Sequence, residues 1–296
     1  MESKPKSIVV IVGQTASGKS AAAMKLTQEY NSEIIAADSR TVYKGMDIGT
    51  AKPSVEDQAK IPHHGLDLIT PDQTFSAAQF QRYARKTVKE IQARGKLPII
   101  VGGTGLYIDG FVYGFDFAAR PNPKLRAKLA SLNLNELQIL AQKKDIDSDR
   151  TSYKNPRHLA RAIEREGHTA QRTQKPKNIQ IFGLKIGKEE LNKRIAKRVD
   201  TMFNQGLVKE VQNLINLYGP EAPGLLAPGY KAVEEHLKGG LNLEDAKQLS
   251  ISYDRRLAKR QQTWFKRNQD IVWFDNEQQV MQNVRDFLTK FATIES

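Results

Sequence analysis

The sequence predicts an α/β protein: a P-loop NTPase-like parallel sheet flanked by helices, interrupted by an all-helical insertion domain. Three observations predict it. Ser7–Val12 is an apolar β-branched run without polar alternation, a glycine-rich turn follows directly, and further short apolar runs are spaced by helix-length segments. A run without alternation suits a strand buried on both faces, and strands that alternate with helices form a doubly wound sheet.

Ser7–Val12 (SIVVIV) reads as the first strand, and a helix runs from about Lys19 to Tyr30. Glu33–Ala37 is a second strand ending at Asp38, and Leu97–Val101 (LPIIV) a third, ending in Gly102-Gly103 with a helix beginning near Thr104. From Ala118 the pattern changes. Arg120-Pro121-Asn122-Pro123 punctuates the chain, and amphipathic helical segments without a clear strand follow to Asn178. Residues 118–178 therefore read as a helical insertion between the two halves of the core, 1–117 and 179–296. Ile179–Ile186 returns to strand, 188–217 and 243–267 read as helical, and Ile271–Phe274 (IVWF) is the last strand. Ligands of such sheets gather outside the carboxyl ends of the strands, so the glycine-rich turn, Asp38 and Thr104 are expected to line one crevice.

The chain has 296 residues, a net charge of +13 and no cysteine. Disulfides, thiolate metal sites and a cysteine nucleophile are thereby excluded, and a reducing, cytoplasmic setting is the expectation. No apolar run approaches the roughly 20 residues that cross a bilayer, and Met1–Ser7 is too polar for a signal peptide, so no membrane is expected. The charge is clustered. Residues 119–180 hold fourteen Lys/Arg against six Asp/Glu, and residues 253–267 hold six against one. Two short regions thus contain the whole excess, which favours a polyanionic partner over general solvation. A monomer is the expected state.

Gly13-Gln14-Thr15-Ala16-Ser17-Gly18-Lys19-Ser20 matches G-x-x-x-x-G-K-[ST] between a strand and a helix. Backbone amides and the helix amino terminus would cradle phosphates, Lys19 adds a full positive charge, and the Ser20 hydroxyl is a ligand for Mg²⁺. Alone, this loop fits a nucleoside triphosphate. An ATPase or GTPase, however, usually offers a strand ending in an acid that holds the metal, and the third strand here ends in Gly102-Gly103. The acid lies instead at the end of the second strand. Asp38, followed by Ser39-Arg40-Thr41, is either a helix cap or a functional carboxylate, and spacing alone does not decide.

The stretch Asp38–Pro53 (DSRTVYKGMDIGTAKP) resembles the signature of the tRNA dimethylallyltransferases, also called tRNA isopentenyltransferases. Four further segments agree in order: His63-His64 with Asp67 and Pro71, Val101–Tyr107 (VGGTGLY), Asn155-Pro156-Arg157 onward to Arg161, and Ala258–Phe265 (AKRQQTWF). The resemblance covers nearly the whole chain and is closest to the bacterial enzymes. It implies transfer of a dimethylallyl group from dimethylallyl diphosphate to the exocyclic amine of the adenosine 3′-adjacent to the tRNA anticodon. It implies Asp38 as general base, Lys19 and Thr104 as its catalytic companions, and Mg²⁺ with the P-loop on the diphosphate. It further implies anticodon-arm contacts from Asp38, Ser39, Arg40, Thr41, Thr104, Arg126, Arg157, His158, Leu159, Ala160, Arg161, Gly229 and Tyr230.

Arg194 and Arg198 stand one helical turn apart and either reach the diphosphate or form a solvated face. In 243–267, Arg256, Arg260, Thr263 and Arg267 share one face and read as an RNA-backbone contact, while Trp264 reads as core. His63-His64 lacks a third ligand at zinc spacing and reads as packing or hydrogen bonding; His158, His168 and His236 carry no metal signal. Four positions depart from the family pattern: Gln14 for proline, Ser20 for the commoner threonine, Thr41 for glutamine, and Ala232 for an acid or amide. None removes a reacting group. Rival readings are an adenylate isopentenyltransferase acting on a free nucleotide, a P-loop small-molecule kinase, and a non-catalytic RNA-binding ATPase module. The first needs neither basic region.

Overall fold

The computed structural model describes residues 7–116, 122–147, 151–167 and 173–295. Arg120, Pro121 and His168, and the expected domain junction at Ala118, lie outside these residues. The chain forms two compact units: residues 1–112 with 175–296, and residues 113–174.

In the larger unit the elements alternate as the apolar runs require. β1 (Ile8–Gly13), α1 (Lys19–Glu29) and β2 (Ser32–Ala36) are followed by a long irregular segment, then α2 (Val55–Lys60) and β3 (His63–His64). α3 (Ala77–Ala93), β4 (Leu97–Gly102) and α4 (Gly105–Tyr113) complete the first half. Among the described residues the smaller unit holds three α-helices, α5 (Pro123–Ala130), α6 (Leu134–Lys143) and α7 (Pro156–Glu164), and a short 3-10 helix at Thr151–Lys154. The second half of the larger unit contains β5 (Ile179–Leu184), α8 (Lys188–Asn204), α9 (Leu207–Tyr218), α10 (Pro228–Leu237), α11 (Leu243–Phe265), β6 (Ile271–Phe274) and α12 (Glu277–Glu295). The helical stretch expected over 188–217 is two helices, because Gly206 at φ 100° adopts a left-handed conformation that ends one and begins the next.

All six strands are parallel, in the order β3-β2-β4-β1-β5-β6. β1 is central, with Ile11 opposite Val101 on one side and Phe182 on the other. Its burial on both faces explains the uninterrupted apolar run. One face of the sheet, carrying Val9, Ile11, Ile34, Ile99 and Val101, packs with Ala23 and Leu26 of α1 and Val280 and Val284 of α12. A separate apolar cluster joins α8, α9, α10 and α11 to the irregular segment through Val42, Tyr43 and Met46.

The smaller unit is helical among its described residues, with a core of Leu129, Leu137, Ala141, Leu159 and Ile163. Its helices begin with the same device twice. Asn122-Pro123 and Asn155-Pro156 place an asparagine cap before a proline in the first turn, and each asparagine accepts a backbone N–H. α6 starts with a reciprocal capping box between Asn133 and Glu136.

The one acid in β2 is buried. Glu33 is 2% exposed and ties the strand to Arg94, Lys96 and His64 at 2.7, 3.0 and 2.7 Å. Burial alone would raise its pKa, but hydrogen bonds from Arg94, His64 and Lys96 outweigh it and bring it down to about 2. His63 instead donates from Nδ1 to the Ile61 carbonyl at 2.7 Å. Because the Glu33 pKa is depressed, its contribution to stability is complete above the ordinary carboxylate range and disappears as pH falls from about 4.5 toward 2. Glu33→Gln should therefore destabilise the protein by about 3 kcal/mol at pH 7 and flatten the acid limb of its stability curve, measured by urea unfolding across pH.

Candidate active site

The carboxyl ends of β1, β2 and β4 open into one crevice of about 670 Å³. Its lining includes Thr15, Lys19 and Ser20 from the P-loop, Asp38 to Thr41 after β2, and Gly102 to Leu106 after β4. Arg198 of α8, Gly229 and Tyr230 of α10, and Asp254, Leu257, Arg260, Gln261 and Trp264 of α11 complete it. The parallel sheet is the cause of this convergence: strands in one direction deliver all their exits to one edge.

The P-loop sits at the amino end of α1, where unpaired amides and the helix dipole favour anions. Lys19 Nζ donates to the Gln14 carbonyl at 3.0 Å, which folds the ammonium back over the loop. Burial first, and Arg198 second, lower its pKa to about 8, against the pull of Asp38. Arg198 Nη1 donates to Thr15 Oγ1 at 2.8 Å, placing a second cation on the loop. Arg194 reaches the same loop, with Nη1 3.7 Å from where a Cβ on Gly18 would lie, while its Nε pairs with Glu190 at 2.7 Å. Ser17 Oγ and Arg198 Nε are buried without hydrogen-bond partners among the described residues, as groups meant for a ligand anion would be. Gln14, the departure from proline, is buried and donates through Nε2 to the Ala258 carbonyl at 3.2 Å.

Asp38 is not a helix cap. The residues after it form turns, the next helix starts at Val55, and Asp38 Oδ1 instead accepts from the Arg40 amide at 2.8 Å. This Asx-type turn uses one carboxylate oxygen and holds the group at the crevice wall. Thr104 Oγ1 accepts from the Ser39 amide at 3.0 Å, so the threonine hydroxyl locks the exits of β2 and β4 together. Thr41 is buried, and its Oγ1 has no hydrogen-bond partner among the described residues.

Several expected contacts are placed differently. Trp264 is not core: it is 40% exposed on the crevice wall, and its indole N–H donates to Asp109 Oδ2 at 3.0 Å. Tyr230 turns its ring inward, 2% exposed, and donates its hydroxyl to Glu210 at 2.7 Å, so the ring is unavailable for stacking on a base. Leu159 is fully buried in the smaller unit's core, which removes its side chain from any RNA surface. In that unit Arg126 and Arg161 pair with the Glu164 carboxylate at 2.6 and 3.2 Å, while Arg157 and His158 are exposed and Ala160 is partly buried.

Two residues were not singled out by the motifs. Gln261 bridges the P-loop to the exit of β4, accepting from the Thr15 amide at 2.7 Å and donating to the Gly103 carbonyl at 3.1 Å. Asp254 puts a second carboxyl in the crevice; burial raises its pKa most, Arg198 opposes the rise and Asp38 adds to it. Its signal in the sequence was that it is the one acid in the basic run 253–267.

Among the described residues no group of three or more His, Cys, Asp or Glu is placed to hold a metal by itself, and no helix is long and apolar enough to cross a membrane.

The chain is similar to known proteins along most of its length. The family model described as IPP transferase matches residues 41–268. The chain is 37% identical to the tRNA dimethylallyltransferase of Staphylococcus epidermidis, over 95% of this chain and 90% of that one. It is 40% identical to the tRNA dimethylallyltransferase of Anoxybacillus flavithermus, over 90% of each. The crystal structure of the full-length tRNA isopentenylpyrophosphate transferase of Bacillus halodurans superposes with a TM-score of 0.76 at 33% identity, covering 98% of this chain and 99% of that one. The P-loop and Asp38 precede the family-model segment but fall within the span shared with these relatives.

Because burial and Arg198 hold the Lys19 pKa near 8, a bound polyanion should raise it and couple binding to proton uptake. Affinity for inorganic pyrophosphate, measured by calorimetry, should fall as pH rises above about 8, and Lys19→Met should abolish that dependence.

Proposed function

Since the chain belongs to the IPP transferase family, we propose that it is a tRNA dimethylallyltransferase, moving the five-carbon group of dimethylallyl diphosphate onto the exocyclic amine of the adenosine 3′-adjacent to the anticodon. The observation that carries this reading is that the P-loop and Asp38 open into the same crevice while β4 ends without an acid. A phosphate cradle facing a carboxylate suits attack by an amine on carbon better than hydrolysis of a nucleotide.

The P-loop amides, Lys19 and Arg198 bind the diphosphate and take up the charge that grows on it as the allylic C–O bond breaks. The amine nitrogen forms the new bond to that carbon and loses its proton to Asp38. The α1 side of the crevice is apolar, lined by Met24, Ile34, Ala36 and Val101, and suits a short hydrocarbon chain joined to a diphosphate. The exposed Ser20 hydroxyl and the carboxylates of Asp38 and Asp254 are the hard oxygen donors that Mg²⁺ prefers, so the residues present fit that ion. Ser20 would hold it, and when bound it supplies further charge neutralisation on the leaving diphosphate.

RNA is the acceptor that best explains the rest of the wall. Arg260 and the half-exposed Trp264 offer a cation and a ring at the crevice mouth, which suit a phosphate and an unstacked base. Arg40 lies beside Asp38 in the same lining, and Arg157 and His158 give the smaller unit an exposed basic edge. A free mononucleotide has no use for the smaller unit's basic edge.

The reading is tested by incubating the protein with dimethylallyl diphosphate, Mg²⁺ and unmodified tRNA and weighing the nucleosides; ATP turnover without an isoprenoid mass increment refutes it. In the same assay Asp38→Asn should slow transfer by roughly 10²–10⁴-fold while leaving tRNA affinity nearly intact. Full activity in that variant would reduce Asp38 to a turn-former.

A further inference from the structure

The segment between Asp38 and α2 has no regular secondary structure, yet Ser39, Arg40, Thr41, Gly49, Thr50, Ala51 and Pro53 all face the crevice. A wall built from turns must be held by something other than its own backbone ladder. Its first half is held by the chain beyond β3: Tyr43 bridges Ile69, and the Lys44 and Ile69 amides donate to the Ile69 and Val42 carbonyls at 2.9 and 3.1 Å.

The second half hangs on one carboxylate. Glu210, in the first turn of α9, receives three successive backbone amides: Asp47 and Ile48 on Oε2 at 2.9 and 2.7 Å, and Gly49 on Oε1 at 3.0 Å. The Tyr230 hydroxyl donates to the same Oε1 at 2.7 Å. Four donors thus meet a group that only accepts, a geometry a carboxylate satisfies and an amide does not. The Tyr230 ring also sets the height of the loop, because a Cβ on Gly49 would lie 2.6 Å from it. Lys52 adds a third tie, with its ammonium buried against the Tyr43 carbonyl at 2.9 Å and Asp67 at 2.7 Å.

We infer that Glu210 is a positioning residue for the nucleotide: its carboxylate holds residues 47–49 and so preforms the crevice wall that begins at Gly49 and continues through Thr50 and Ala51. The inference rests on the proposed tRNA acceptor, since it assigns this wall to the base and its flanking backbone. Glu210 touches neither substrate. It acts by making a segment rich in turns rigid before RNA arrives, so that ordering entropy is not charged to binding.

Glu210→Gln places an NH₂ against these donors and should release the segment. The expected result is a rise of roughly 10-fold in KM for tRNA, with KM for dimethylallyl diphosphate within about 2-fold of wild type, and faster amide exchange at Asp47–Gly49 but not in β1. Gly49→Ala displaces the same loop from the Tyr230 side without touching Glu210 and should give the same split. Tyr230→Phe keeps the ring and removes one of four bonds, so its effect should be smaller. A wild-type KM for tRNA in both Glu210→Gln and Gly49→Ala would overturn the inference, as would an equal loss of affinity for both substrates. If the wild-type chain transfers no prenyl group to tRNA, the functional reading fails, and amide exchange still reports whether Glu210 holds the loop.

Discussion

A single side chain on α11 joins two of the three chain exits that make the crevice. Gln261 accepts from the Thr15 amide and donates to the Gly103 carbonyl, while Gln14 returns a hydrogen bond to Ala258 on the same helix. Thr104, next to Gly103, then holds Ser39 and so the Asp38 turn. The phosphate loop, the candidate base and the basic helix are therefore one hydrogen-bonded body. Because Gln261 is buried, each bond it makes satisfies a backbone group that water does not reach, and losing it would leave those groups unpaired at about 1–3 kcal/mol each. Alignment of reacting groups to a fraction of an ångström needs supports of this kind.

The electrostatics of the crevice follow from that compactness. Arg198 and Asp38 act on both Lys19 and Asp254 across it, each secondary to burial. Burial works against charge on both titrating groups, lowering the amine and raising the carboxyl. A bound diphosphate would reverse the first of these and add to the second. Both effects suit the anionic ligand proposed for this crevice.

Much of this was legible in the sequence, for stated reasons. β1 declared itself because a central parallel strand has no polar face, and the P-loop because its spacing is set by the backbone's need to wrap phosphates. Asp38 was found at a strand end, but whether it capped a helix was not, since Asp-Ser serves turns and helices alike; the structure decides for the turn. Trp264 misled because a tryptophan at helical spacing looks like core, and only the crevice beside α11 leaves it half-exposed. Tyr230 lines the crevice, but its sequence position does not announce that its hydroxyl is spent on Glu210. Gln261, Glu210 and Asp254 act through partners distant in the chain, at sequence separations that no local pattern encodes. α10 and α12 bury Tyr230 and Val233, and Val280 and Val284, in clusters that only the folded sheet defines.

The central claim is that one preformed crevice brings a diphosphate on the P-loop and an adenosine amine at Asp38 to the same reacting carbon. A crystal structure of the protein with a non-reactive dimethylallyl diphosphate analogue and an anticodon stem-loop tests it most directly. The account predicts the diphosphate on the loop between Gly13 and Ser20 and the amine within hydrogen-bond reach of Asp38. A diphosphate bound away from that loop, or an amine held by Asp254 with Asp38 turned aside, would contradict it.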